Sequence, residues 1–187
     1  MLGAPSLEGV RMEAGPTILL RSGSYFDLLR PEASTFTILD IAHALSNLCR
    51  FTGHTHRFLS VAEHSVYVSQ LVPREDTLAG LLHDAAEAFV GDVSRPLKSL
   101  LPEYRVIEDR VSRAVLSRFG LDPVLPDSVG QADRVMLRAE QFYAMRYDDV
   151  WPGLLPEVVI EPQFLPPEAA RFLFLQRYFE LTGERHG

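Results

Sequence analysis

His83 and Asp84 stand side by side, with Glu87 three positions on, in the run Leu81-Leu-His-Asp-Ala-Ala-Glu-Ala-Phe89. The pair offers a metal one imidazole nitrogen and one carboxylate oxygen from adjacent backbone positions. A carboxylate one helical turn further along shares that face and can exchange a proton with a water there. Glu63-His64 upstream, Gly91-Asp92 just after and Asp133 further on add donors of the same kind. Two His and two Asp form a set of intermediate hardness, suited to Mn, Fe, Co, Ni or Zn rather than to Ca. A metal so held activates water toward a phosphate ester, with Glu87 as the acid or base.

Each of these residues taken singly is as readily a hydrogen-bonded structural group as a ligand. Together they are harder to explain that way. Leu81, Leu82, Ala85 and Ala86 give a buried Asp84 carboxylate no counter-charge, and an unpaired buried charge is costly.

The positioning elements follow from periodicity and punctuation. Ser60-Val-Ala-Glu63 has the pattern of a capping box opening a helix that stops at Pro73. A second helix is expected from Thr77 to Val90, ended by Gly91. The short link Pro73-Arg-Glu-Asp76 makes the two antiparallel neighbours. His64 lies about nine positions before that link and Asp84 about eight after it, so His64, His83 and Asp84 fall at one level. Asp133 completes the set if the tertiary fold delivers it. Further helices are expected over Thr37–Leu48, Pro102–Phe119, Ser128–Tyr147 (capped by Asp127) and Pro167–Leu181. Thr17–Leu20 reads as a short strand, 23–32 and the proline-rich 151–166 as loops, and 1–16 as a loose tail. The whole reads as one all-α domain over residues 1–187.

With 187 residues, 47% of them hydrophobic, the chain can bury a sizeable core. Its net charge of −7 argues against binding a nucleic-acid polymer. The single cysteine, Cys49, allows no intrachain disulfide and reads as a small core residue. No stretch resembles a leader or a membrane span, so a cytoplasmic protein is expected. Arg171-Phe-Leu-Phe-Leu-Gln-Arg-Tyr-Phe179 is apolar around most of its circumference, which suits burial on more than one side or a homodimer interface.

The order His64 … His83-Asp84 … Asp133 resembles the HD-domain metal-dependent phosphohydrolases. Arg50-Phe51, Ser60-Val-Ala-Glu-His-Ser65, His83-Asp-Ala-Ala-Glu87 and Gly91-Asp-Val-Ser-Arg-Pro-Leu-Lys98 are similar to the 5′-deoxynucleotidase branch, over about residues 37–147. The resemblance implies a helical HD bundle with a divalent ion on His64, His83, Asp84 and Asp133, and Glu87 as acid/base. It further implies Arg50 and Lys98 on phosphate, Phe51 against the sugar or base, Asp92 on the 3′-hydroxyl and Pro96 lining the base pocket. The expected substrate is a 5′-(deoxy)nucleoside monophosphate. Small dNTP triphosphohydrolases share the motifs, and His54, His56 and Arg57 could grip extra phosphates or stand in solvent. A metal- and nucleotide-binding regulatory module without turnover is the third expectation.

Overall fold

In the computed structural model, which describes residues 15–158 and 160–184, eight helices follow a small hairpin. Strands β1 (Thr17–Leu19) and β2 (Tyr25–Asp27) pair antiparallel with Ile18 opposite Phe26. The chain is mostly helical, and the short strand expected near Thr17–Leu20 forms, but the loop expected over 23–32 is corrected here because it contains β2. Phe26 is fully buried, stacked on Phe89 at 3.8 Å and set edge-on against Phe36. Burying such a ring contributes about 2–3 kcal/mol, and Phe26 carries its strand into the ladder. Of the expected tail, residues 1–14 lie outside the described residues.

Helix α1 (Ile38–Asn47) begins as the sequence requires: the Thr37 backbone N–H and hydroxyl both donate to Asp40 at 3.0 Å. The other oxygen of Asp40 accepts from the Ser22 N–H, which ties the hairpin turn to α1. Helix α2 (Val61–Leu71) is buried from Val61 to Ser69 and packs against the helices on every side of it. Only half of its expected capping box forms. Ser60 Oγ accepts from the Glu63 N–H, but the Glu63 carboxylate turns away to the 163–165 segment.

The helix expected over Thr77–Val90 is interrupted. Helix α3 (Thr77–Leu82) gives way to tight turns over 83–86, where Ala85 N donates to Leu82 O and Glu87 N to Asp84 O, before α4 (Glu87–Val90). This local tightening sits at the His-Asp pair. After it come α5 (Arg95–Lys98), α6 (Pro102–Arg118), α7 (Asp127–Tyr143) and α8 (Pro167–Thr182), the last closed by Gly183 at φ +70. Asp127 is the first residue of α7 rather than its cap, and α7 stops four residues short of Tyr147, with Arg146 at φ +52.

Two apolar clusters flank α2. The larger joins α1, α3, α6 and α8 through Ile41, Leu45, Leu81, Val115 and Phe174. The smaller sets Tyr67, Val68 and Val72 against Val129, Ala132 and Met136 of α7. Gly80 fits because α3 runs against α2: a Cβ there would meet Ser69 Cα and Val72 Cγ2 at 3.1 Å. Helix α8 packs on α1, α2 and α3 and leaves Phe172 67% exposed. Among the described residues no helix is long and apolar enough to cross a membrane.

Candidate metal centre

Helices α2 and α7 and the turn after α3 bring four sequence-predicted residues together. His64 Nε2 lies 3.4 Å from His83 Nε2, 3.3 Å from Asp133 Oδ1 and 3.6 Å from Asp84 Oδ2. His83 Nε2 is 3.1 Å from the same Asp84 oxygen. One donor atom each from His64, His83 and Asp133 falls within 4.8 Å of the others. Neighbouring ligands of one ion with bonds near 2.1 Å are separated by about 3.0–3.4 Å, so these edges fit a coordination shell.

The orientation of both imidazoles is fixed from behind. His64 Nδ1 lies 2.7 Å from Glu140 Oε1, and His83 Nδ1 lies 2.8 Å from the Gly80 carbonyl oxygen. Each contact holds a proton on Nδ1 and leaves Nε2 toward the shared point, as metal-binding histidines require. Sequence reasoning missed Glu140. Its signal was spacing, since it follows Asp133 by seven positions and shares that face of α7.

Arg50 closes one side. Its guanidinium donates to Glu140 at 2.9 and 3.2 Å and stands 4.0 Å from Asp84 and 3.7 Å from Asp92. Three carboxylates, Asp84, Asp92 and Glu140, therefore face one guanidinium, and a fourth, Asp133, stands against His64. Burial and Arg50 push the His64 imidazolium down, yet Glu140 and the Asp133 contact prevail and raise it to about 10. Burial alone would lift Asp84, but His83, His64 and Arg50 hold it well below the usual carboxylate range. This surplus of negative charge suits a divalent cation.

Glu87 is buried, and its Oε2 has no hydrogen-bond partner. Burial first, then Asp84 and Asp92, push its carboxyl up to about 10. Lys98 approaches Glu87 at 3.7 Å but is held by Glu108, so the residue expected on phosphate is already paired with carboxylates. Pro96 is exposed in α5.

Residues 50–59 form a loop closed at its base by Arg50 N to Leu59 O and Val61 N to Leu48 O. His54, His56 and Arg57 are exposed on it. Arg57 lies 4.2 Å over the Phe164 ring and donates to Gln163 O. Phe51 sits 6.0 Å from Trp151. Glu63, fully buried, accepts the N–H groups of Gln163, Phe164 and Leu165 at 2.8–2.9 Å, pinning the proline-rich segment. Cys49 is half-buried at the loop's start.

No family model matches the chain. It is 38% identical to the uncharacterised protein YfdR of Escherichia coli over 169 residues, which covers 88% of this chain and 94% of YfdR. It is 35% identical over 187 aligned positions to the uncharacterised protein RCAP_rcc00048 of Rhodobacter capsulatus, covering 89% and 95% of the two. Neither relative's name assigns an activity or a ligand.

Proposed function

The chain belongs to the family of YfdR, and we propose that it is an HD-type, divalent-metal-dependent phosphohydrolase acting on 5′-(deoxy)nucleoside monophosphates. The observation that carries this reading is the convergence of His64, His83, Asp84 and Asp133 around one point, beside a half-buried Arg50 and a buried Glu87. A divalent ion on those four residues would supply Lewis acidity to a phosphate oxygen and lower the pKa of water.

The chain's own residues supply the rest. Arg50 can turn its guanidinium toward phosphate while Glu140 keeps it in place. Asp92, 3.7 Å from Arg50, can accept from a sugar hydroxyl. Burial, Asp84 and Asp92 raise the Glu87 carboxyl in the metal-free chain, which suits it to carry a proton to the leaving 5′-oxygen as water adds to phosphorus and the P–O bond breaks. The products are a nucleoside and orthophosphate. Arg57, engaged by Phe164 and Gln163, leaves His54 and His56 as the remaining groups for a longer phosphate chain, which favours the monophosphate.

The test is product analysis by anion exchange after incubating Mn-, Co- or Ni-loaded protein with dAMP and with dATP, using His83→Ala and Glu87→Ala as controls. Orthophosphate from dAMP, lost in both variants, is expected. Triphosphate from dATP would replace this reading with triphosphohydrolysis. No product from either, with metal still bound, would overturn turnover of these substrates and favour a regulatory module.

A further inference from the structure

The rings at the mouth of the centre are inclined much like edge-on pairs of the core but are less enclosed. Phe51 and Trp151 are 6.0 Å apart and inclined at 58°, close to the 6.4 Å and 60° of Phe36 and Phe119. Tyr147 stands 6.5 Å from Trp151 at 38°. Phe51 and Trp151 are half-buried, and Tyr147 is 47% exposed. Through this exposure the three rings form a bent wall with aromatic surface open to another flat group. The wall begins where the phosphate-facing cation ends, since the Arg50 guanidinium carbon lies 5.5 Å from the centre of the Phe51 ring.

Both sides of the wall are held in place. Phe51 and Thr52 adopt left-handed backbone at φ +55 and +54, a conformation that residues with side chains resist and that recurs at ligand clamps. On the other side, Gln141 of α7, fully buried, donates to Asp149 O at 2.6 Å and accepts from the Trp151 N–H at 3.4 Å. Buried Arg138 donates to Asp148 O and Pro156 O at 3.4 Å. The helix that provides Asp133 and Glu140 therefore also fixes the backbone that presents Trp151.

We propose that Trp151, with Phe51 and Tyr147, is the surface on which the nucleobase of the substrate stacks, making Trp151 a specificity residue for base-bearing over base-free sugar phosphates. This rests on the phosphohydrolase reading above. Stacking engages the π-face common to all bases, so the wall selects for a base without choosing among bases.

Trp151 is the chain's one tryptophan, so its emission reports this surface alone. Zn-loaded Glu87→Gln protein, chosen to stop turnover, is titrated with dAMP, dCMP and 2-deoxyribose 5-phosphate. Both nucleotides should quench the emission saturably, and the sugar phosphate should compete without quenching. By calorimetry, Trp151→Ala should weaken dAMP about tenfold while leaving 2-deoxyribose 5-phosphate unchanged, and Trp151→Phe should restore most of the loss. Tyr147→Ala, at an exposed position, should weaken dAMP about threefold without a folding defect. Unchanged emission at saturating dAMP, or equal affinities of wild type and the Trp151 variants for dAMP, overturns the stacking surface. Orthophosphate release from dAMP by the wild type would then leave the hydrolase reading standing. Base-dependent quenching without hydrolysis would do the reverse.

Discussion

Glu140 joins the candidate ligand His64 to the candidate phosphate cation Arg50, and removing its charge tests both links at once. In Glu140→Gln the shape is kept, but His64 Nδ1 faces a neutral amide in place of a carboxylate 2.7 Å away. Loss of such an outer partner typically weakens metal binding about 10–100-fold, or about 1.4–2.8 kcal/mol. Glu140→Ala goes further by taking away the closest counter-charge of Arg50, whose side chain is 12% exposed. Breaking a buried pair costs about 3–5 kcal/mol. Asp84 at 4.0 Å and Asp92 at 3.7 Å remain to share the guanidinium, which places the loss near the lower figure. For a chain of this length about 3 kcal/mol corresponds to a Tm lowered by about 6–12 °C. Calorimetric titration with Mn or Co gives the first number and metal-free thermal melting the second. A Glu140→Gln protein binding metal as tightly as wild type, or a Glu140→Ala protein melting within about 2 °C of it, would refute the role given to this carboxylate.

Metal itself should stabilise the chain: at about 100 times its Kd it adds about 2.7 kcal/mol, a Tm rise of about 5–10 °C that chelator or His83→Ala abolishes in a melting assay. Glu87 carries a pH signature. Its folded pKa, raised to about 10, lies above the unfolded value, so its stabilising share is complete below about pH 4 and falls as pH rises toward 10. Glu87→Gln, which mimics the neutral acid, should gain on metal-free wild type by up to about 1.4 kcal/mol per pH unit between pH 5 and 9 in denaturant titrations, and a constant difference would remove this account. Gly80→Ala places a Cβ 3.1 Å from the Ser69 backbone and displaces the carbonyl that holds His83. It should cost about 1–3 kcal/mol and weaken metal binding in the same calorimetric assay. Glu63→Gln turns an amide N–H toward the Leu165 N–H, at about 1–3 kcal/mol, and should speed proteolytic cleavage between residues 151 and 165.

How much of this was legible in the sequence depended on how local its cause was. The helix starts at Thr37, Ser60, Pro102 and Pro167 are set by residues within one turn of each start, and periodicity and capping chemistry located them. His64, His83 and Asp84 could be placed together because one short link relates their helices. Asp133 could be named but not placed, since α7 reaches α2 through packing between residues far apart in the chain, with Tyr67, Val68 and Val72 in one cluster with Val129, Ala132 and Met136. The break at 83–86 has no glycine or proline to announce it, and β2 exists because Phe26 finds Phe89, sixty-three positions away.

The polar residues that periodicity could not interpret turn out to share a task. Glu63 read as half of a capping box, but its carboxylate is fully buried and binds backbone a hundred positions on. Gln141 and Arg138 look from sequence like ordinary helix-surface residues, yet they too are buried and hold the same 148–165 stretch by its backbone. A proline-rich segment has few N–H groups of its own to form a ladder, so its position must come from outside it. In this chain that support comes from α2 and α7, the helices that also provide His64, Asp133 and Glu140. Any displacement of the two helices should therefore move the candidate metal centre and the aromatic wall together, which under the proposed function would tie the geometry of the phosphate to that of the base.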